Sequence, residues 1–258
     1  MNILPIYKRE LRSYFQSPGY YIFAALFLLL IGLFFVNSMI LFSLLSSDGQ
    51  LRQQFEVETM NLTERVIEDL FASMNFILIF LIPLLTMKLF AEEKKSGTYD
   101  ILQSYPLTTS DILFGKYFAV LSVNCLIISL TIIYPILTSR YAEIEYPVVL
   151  SSYLGIILVS AAYCSLGIFA SSITENQIIA AVLSFTGLLF FYVVSMLGVG
   201  RFGMIESICK NLSFVKHCEN FTKGIIDISD IAYFLLFSIF FLFLSHLIIE
   251  LQKRGLED

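Results

Sequence analysis

Six long apolar runs constrain this chain more than any other feature of its sequence. They cover about residues 20–45, 70–87, 112–138, 148–172, 177–200 and 231–249. Because a helix rises about 1.5 Å per residue, about 20 apolar residues cross the ~30 Å hydrocarbon core of a bilayer. A helix satisfies its own backbone hydrogen bonds in lipid, and the runs lack the alternating pattern of a membrane β-barrel. The sequence predicts an all-α membrane protein with six transmembrane helices.

The composition excludes an ordinary soluble domain. The chain has 258 residues, of which 57% are apolar and 14% are charged, whereas soluble domains are about 25% charged. The formal net charge of −5 argues against a nucleic-acid partner. No internal repeat or low-complexity tract divides the chain, so we expect a single membrane domain over residues 1–258.

The basic residues predict the orientation. Lys8, Arg9 and Arg12 closely precede the first apolar run, and no basic residue follows that run until Arg52. Since basic residues concentrate on the cytoplasmic side, and six spans return the chain to its starting side, we expect both termini in the cytoplasm. The first run, at about 25 residues, is longer than the apolar core of a signal peptide and is predicted to be an uncleaved helix.

The segment before the first run has a helical apolar pattern. Its apolar residues recur every three or four positions, whereas its polar residues fall on another face. The pattern predicts an amphipathic interfacial helix that places its aromatic rings at headgroup level and ends at Pro18 and Gly19. The alternative is a basic flank that only fixes topology. The residues assigned to this interfacial helix are Tyr7, Lys8, Arg9, Leu11, Arg12, Tyr14 and Phe15.

A second amphipathic stretch is predicted between the fifth and sixth runs, interfacial or re-entrant. Its apolar positions are Ile205, Ile208, Leu212, Val215, Phe221 and Ile225. Asp230 follows the stretch and is expected to cap the sixth helix.

Catalytic and metal-binding signatures are missing from the sequence. It contains no H-E-x-x-H, no G-x-S-x-G and no phosphate-binding G-x-x-x-x-G-K-[ST] pattern. No carboxylate lies inside an apolar run, which argues against ion-coupled transport. Lys116 is expected to extend to the near interface, and His246 to be a hydrogen-bonded helix residue rather than a proton relay. We therefore expect no catalytic residue, metal site or cofactor in this chain.

The cysteines leave one question open. Cys209 and Cys218 would share one compartment outside the cytoplasm, where a disulfide can form. On a continuous helix, however, a separation of nine residues corresponds to about 13 Å, which is too far for a disulfide.

The segment between the second and third runs carries the most specific pattern. It is charged over 92–95 and is expected to break at Gly97. A short helix over 99–105 would bring Ile101, Leu102 and Tyr105 together, with Pro106 ending it and 110–111 capping the third span. Such a helix could insert its apolar residues into a partner's groove. The alternative is a solvated loop with one interfacial turn.

Three stretches of this sequence resemble a known family. They are FAEEKKSGTYDILQSYPL (90–107) with ILFGKY (112–117), YKRELRSYFQSP (7–18), and LSFVKHCENFTKGIID (212–227) with DIAYF (230–234). Together they resemble the permease subunits of ABC-2 type transporters. The last stretch is most similar to the gliding-motility branch and its copper-processing relatives.

The resemblance implies an assembly with partners. It implies two permeases, identical or different, in a bacterial cytoplasmic membrane, with two separate ATP-binding subunits that hold ATP and Mg²⁺ and dock on the cytoplasmic loops. The 173–177 turn would be a second, smaller contact. The docking residues it implies are Glu92, Glu93, Lys94, Lys95, Gly97, Thr98, Tyr99, Asp100, Ile101, Leu102, Tyr105 and Glu175.

The sequence supports one leading function and two alternatives. The leading hypothesis is a permease subunit of an ATP-driven exporter, which would drive export or gliding-type surface machinery. The second is a structural or assembly anchor with no transport path. The third, a membrane enzyme, is disfavoured because catalytic residues are missing. Co-purification with an ATP-binding subunit distinguishes the first hypothesis from the others.

Overall fold

The fold was analysed in a computed structural model that describes residues 3–47, 66–99, 108–140, 144–197, 209 and 211–254. These residues are almost entirely helical and contain no β-strand. The helices are α1 (Ile3–Gln16), α2 (Pro18–Ser47), α3 (Glu68–Thr86), α4 (Lys88–Lys95), α5 (Thr109–Leu130), α6 (Ile133–Thr138), α7 (Tyr146–Ile173), α8 (Gln177–Leu197), α9 (Phe214–Thr222) and α10 (Ile228–Arg254).

The predicted membrane architecture is confirmed. Six helical stretches among the described residues are long and apolar enough to cross a bilayer. Two of them combine neighbouring helices, since α4 extends α3 and α6 extends α5. The second stretch therefore continues beyond the predicted run of 70–87. The stretches are Pro18–Leu45, Glu68–Lys95, Thr109–Thr138, Tyr146–Ile173, Gln177–Val194 and Ile228–Lys253.

Helix α7 forms the centre of the bundle. It packs against α3, α8, α9 and α10, most extensively against α10. In lipid, helices associate through van der Waals packing rather than through the hydrophobic effect. Small residues allow the backbones of neighbouring helices to approach closely enough for such packing. At Gly167, an added Cβ would lie 2.3 Å from the Thr86 hydroxyl on α3. The α3–α7 contact therefore depends on the missing side chain.

We expect Gly167→Val to separate α3 from α7 and to lower the thermal unfolding temperature in detergent. The valine side chain cannot fit without moving Thr86, and overpacking of this kind costs about 1–3 kcal/mol. Gly19→Ala is the control, since its nearest neighbour would be the Ser17 hydroxyl at 3.4 Å, an ordinary contact. Equal unfolding temperatures for Gly167→Val and the wild type would contradict this packing.

Both described ends of the chain lie at one end of the bundle, here named the terminal end. On α10, Gln252 donates to the Ser172 carbonyl at 3.5 Å, and Lys94 on α4 donates to the same oxygen. Helix α1 packs along α5, where the Tyr7 hydroxyl donates to Ser122 at 3.1 Å. The helix predicted before the first run is confirmed as α1, and its placement on a membrane leaflet stays a prediction.

Helix α9 lies inside the bundle beside α7. The ring of Phe214 packs on Tyr163 with centroids 5.1 Å apart, and the Phe221 carbonyl accepts hydrogen bonds from Ser151 and Ser152. Along α7, positions 151 to 163 span about 18 Å. Helix α9 therefore packs along the first part of α7, and the interfacial and re-entrant alternatives both stay predictions.

The apolar face predicted for this stretch was partly wrong. Phe214 and Phe221 are the buried anchors, whereas Leu212 and Ile225 are exposed. The prediction extended one helical repeat from Ile205 to Ile225. The helix α9, however, covers only Phe214–Thr222, so the repeat does not apply to the flanking positions. Ile205 and Ile208 lie outside the described residues.

Asp230 does not cap α10, so that prediction was wrong. The helix begins two residues earlier, and the Asp227 carboxylate accepts the Ser229 backbone N–H at 2.9 Å. Asp230 instead binds two side chains of α9, with Oδ1 2.6 Å from His217 Nδ1 and Oδ2 2.7 Å from Asn220 Nδ2.

The four cysteines are free thiols, so Cys209 and Cys218 form no disulfide.

Candidate functional site

The charged segment 88–95 forms α4, which follows α3 after a break at Met87. Leu89, Phe90 and Ala91 are buried, whereas Glu92 and Lys95 are exposed. The helix ends at Ser96, and Gly97 follows with φ of 69°, in the left-handed region that favours glycine. The predicted break at Gly97 is confirmed.

The end of α7 holds α4 through hydrogen bonds to backbone groups at the break and in the first turn of α4. Ser171 Oγ accepts the N–H groups of Phe90 at 3.1 Å and Ala91 at 3.2 Å, and donates to the Met87 carbonyl at 3.0 Å. Lys94 Nζ donates to the Ser172 carbonyl. Because buried backbone groups require partners, these bonds fix α4 to α7.

A buried charge cluster holds α4 from the other side. Lys116 on α5 is 1% exposed, and its Nζ lies 3.1 Å from Glu10 Oε1 and 2.9 Å from Glu93 Oε2. Arg9 binds the same two carboxylates at 2.6 and 2.7 Å. The Lys116 ammonium also donates to the Leu89 carbonyl at 2.6 Å. The cluster therefore joins α1, α4 and α5.

The expectation that Lys116 extends to the interface was wrong. Its two carboxylate partners lie on α1 and α4, which fold over the start of α5, so the ammonium is paired inside the protein. The cluster contains two cations and two carboxylates and is neutral as a unit. Buried charges are tolerated when they are paired in this way.

The neighbours of Glu10 favour its charged form. Burial opposes ionisation, but the charges of Lys116 and Arg9 outweigh it and hold the pKa of the Glu10 carboxyl below its ordinary value. Burial also opposes the charge of Arg9, and Glu10 and Glu93 raise the pKa of its guanidinium.

We expect the Glu10 contribution to stability to be lost in acid. A carboxyl whose pKa is lowered by folding stabilises the protein above its unfolded pKa and stops doing so as the pH falls through the folded value. The difference in unfolding temperature between wild type and Glu10→Gln should be large at pH 7 and should shrink towards zero below the folded pKa of Glu10. A difference that stays constant with pH would contradict this assignment.

A sequence model of the family described as ABC-2 family transporter protein matches residues 4–250. The chain belongs to the ABC-2 transporter family. No curated protein sequence matches the chain, so the gliding-motility branch stays a prediction. As an ABC-2 family protein with six span-length helices, the chain is a multi-pass membrane protein and a permease component of an ABC transporter.

The docking residues predicted for this ABC-2 permease fall into three groups. Glu92, Lys95, Gly97, Thr98 and Glu175 are exposed. Others are directed into the protein: Glu93 lies in the charge cluster, and Tyr99 is buried against Phe90 with ring centroids 6.4 Å apart. Lys94 also turns inward, with Nζ 5.7 Å from the centre of the Tyr99 ring. Asp100, Ile101, Leu102 and Tyr105 lie outside the described residues.

The predicted cap of the third span was displaced by two residues. In the permease, Thr108 is the N-cap of α5 and accepts the Asp111 backbone N–H at 3.2 Å. The Asp111 carboxylate in turn accepts from the Thr108 hydroxyl at 2.7 Å. This reciprocal pair fixes the start of α5 at Thr109, six residues before Gly115.

Several residues that position α4 were not anticipated. Neither Glu10 nor Ser171 belongs to a motif that would have singled it out in the sequence. Gly115, beside Lys116, gave a usable signal, because a small residue in an apolar helix marks a close contact. An added Cβ at Gly115 would lie 2.8 Å from Ile6 on α1.

Proposed function

We propose that this chain is the permease subunit of an ATP-driven exporter in a bacterial cytoplasmic membrane, with both termini in the cytoplasm. ATP and Mg²⁺ would bind to a separate ATP-binding subunit, and this chain would convert that subunit's movement into export. The family supports the permease role, and the basic residues before α2 support the orientation.

The observation that carries the proposal is the way α4 is held. Ser171 and Ser172 fix it to α7, and Lys116 fixes it to α5 and α1. A force applied to the outer face of α4 would therefore move three other helices together. Such a connection suits an element that transmits movement from a bound partner into the membrane bundle.

The proposed contact of the ATP-binding subunit begins on this outer face. Lys95 would form a charged rim beside the apolar residues Ile101, Leu102 and Tyr105, with Glu92 at the edge of this rim that borders α1. Glu175, in the turn that follows α7, is exposed and lies three residues after the Ser172 carbonyl that binds Lys94. This turn is therefore placed to make the second, smaller contact.

A second permease, identical or different, would complete the assembly. Helices α2, α8 and α10 present exposed apolar side chains along much of their length, including Leu33, Ile178 and Leu236. Lipid tails or another apolar protein surface can cover such faces. The same ATP-driven movement could serve gliding-type surface machinery, as the similarity of residues 212–234 suggests.

The experiment is a pull-down of the ATP-binding subunit from cells that express both chains. We expect Ile101→Asp/Leu102→Asp to weaken docking at least tenfold, because burial of one such side chain contributes about 1.5–3 kcal/mol and each 1.4 kcal/mol is about a factor of ten.

The matched control is Ile225→Asp/Ile226→Asp, which changes an adjacent pair of exposed apolar residues in the turn between α9 and α10. It should leave docking unchanged. A reporter fused after Asp258 should read as cytoplasmic in both variants. If the first pair docks normally in correctly inserted protein, the proposed coupling element is wrong. If no ATP-binding subunit co-purifies with the wild type, the anchor hypothesis is favoured.

A further inference from the structure

An open cavity of about 500 Å³ lies at the terminal end, between α1, the start of α2, the end of α3 and α4. Its volume falls in the range of about 300–1,000 Å³ that small-molecule sites occupy. The cavity sits where the chain passes from α1 into the first span, at Ser17 and Gly19. It is therefore placed at the level where a span begins.

The cavity wall is amphipathic. Phe23, Leu84 and Leu85 give it an apolar side. Polar residues also line it, with Ser13 and Ser17 at the end of α1 and Lys88 and Glu92 on α4.

Among the charged residues that line the cavity, one cation and one anion form no ion pair with another described residue. Arg9, Glu10, Glu93 and Lys116 neutralise one another. The remaining charged residues of the wall are Lys88 and Glu92, which are exposed and form no ion pair with any residue that the structure describes. They lie one turn apart on α4 and so point to the same side.

We propose that this cavity binds the headgroup of a membrane phospholipid that carries both a phosphate and a primary ammonium group. The phosphate accepts hydrogen bonds from Lys88. The ammonium donates to Glu92, and the first carbons of the acyl chains lie on Phe23 and Leu84.

The charge pair selects this class of headgroup. An anionic headgroup without an amine would place uncompensated negative charge beside Glu92. A choline headgroup has the right charges, but its quaternary ammonium has no N–H to donate to the carboxylate. The apolar wall can contact the acyl chains of a lipid. A soluble phosphate ester with the same headgroup has no acyl chains and cannot make this contact.

The test uses the purified full-length permease in detergent, with lipid binding counted by native mass spectrometry. The added probes are phosphatidylethanolamine, phosphatidylglycerol, phosphatidylcholine and water-soluble glycerophosphoethanolamine. We expect the wild type to retain phosphatidylethanolamine over the other two lipids. Lys88→Gln should weaken that binding about fivefold, the effect of one lost hydrogen bond.

Two further variants make the test specific. Glu92→Lys should shift the preference from phosphatidylethanolamine to phosphatidylglycerol, because it replaces the anion of the pair by a second cation. Lys253→Gln removes a lysine near the end of α10, which is not part of the cavity wall, and should leave lipid binding unchanged.

Three results would overturn the proposal. The first is equal retention of the three lipids by the wild type. The second is equal loss of binding in Lys253→Gln and Lys88→Gln. The third is displacement of the lipid by an equimolar amount of glycerophosphoethanolamine, which would identify a soluble ester as the ligand.

Discussion

Replacing Lys116 by methionine is expected to destabilise the folded permease by about 3–5 kcal/mol, the usual cost of breaking a buried ion pair from one side. The ammonium lies within 3.1 Å of both Glu10 and Glu93. Without it, two carboxylates remain at one partly buried site with only Arg9 between them. The lost contacts also include the Leu89 carbonyl and the face of the Phe90 ring, whose centroid is 5.1 Å from Nζ.

A combined variant separates the loss of a charge from the loss of packing. Lys116→Met/Glu10→Gln/Glu93→Gln leaves no unpaired carboxylate, so it should recover most of the stability that Lys116→Met loses. Thermal unfolding in detergent gives the comparison, with Lys95→Met as the control for an exposed lysine on α4. The cluster would have no structural role if Lys116→Met unfolded at the same temperature as Lys95→Met.

The six spans could be predicted from the sequence because a membrane-spanning helix requires a continuous stretch of apolar residues. Each helix must present apolar side chains over about 20 consecutive positions, and a window of that length shows the pattern directly. The break at Gly97 could be predicted for a related reason, since glycine readily adopts the left-handed conformation that ends α4.

The charge cluster could not be predicted because its members come from distant parts of the chain. Lys116 lies 106 positions from Glu10, and no local rule pairs the two. The sequence showed a lysine near a span end, for which extension to the interface is the common outcome. The packing of α1 over α5 supplies the carboxylate that makes burial possible.

Asp230 illustrates the same limit at the far end of the bundle. An acidic residue just before an apolar run is a good helix cap, but Asp227 lies earlier and already fills that role. The side chain of Asp230 is then available to α9, which folds back beside it. Only the tertiary position of α9 reveals this contact.

The expected result of Asp230→Ala is release of α9 from α10. The His217 ring has an acceptor at each nitrogen, with Nδ1 2.6 Å from the Asp230 carboxylate and Nε2 3.0 Å from the Asn211 carbonyl. The Asp230 carboxylate, which is 5% exposed, can only accept, so the ring N–H at Nδ1 donates to it.

Removal of Asp230 leaves His217 Nδ1 and Asn220 Nδ2 without the acceptors that lie 2.6 and 2.7 Å away. Loss of a hydrogen bond to a charged group costs about 1.5–3 kcal/mol, which corresponds to a rise of at least about tenfold in the released population of α9. The stacking of His217 on Tyr233, with ring centroids 4.0 Å apart, would be lost with it.

Maleimide labelling of Cys218 on α9 measures this release in a protein whose other cysteines are replaced by alanine. Burial raises the pKa of the Cys218 thiol, and the charges of Asp230 and Glu219 add to the effect, so labelling of the wild type should be slow. Because Asp230→Ala also removes a charge near the thiol, His217→Gln provides a second variant that keeps the carboxylate. Cys218 should react with maleimide much faster in Asp230→Ala and in His217→Gln than in Asp227→Ala, which changes only the exposed cap of α10. If the rates of all three variants are alike, the His217–Asp230 pair does not hold α9 in place.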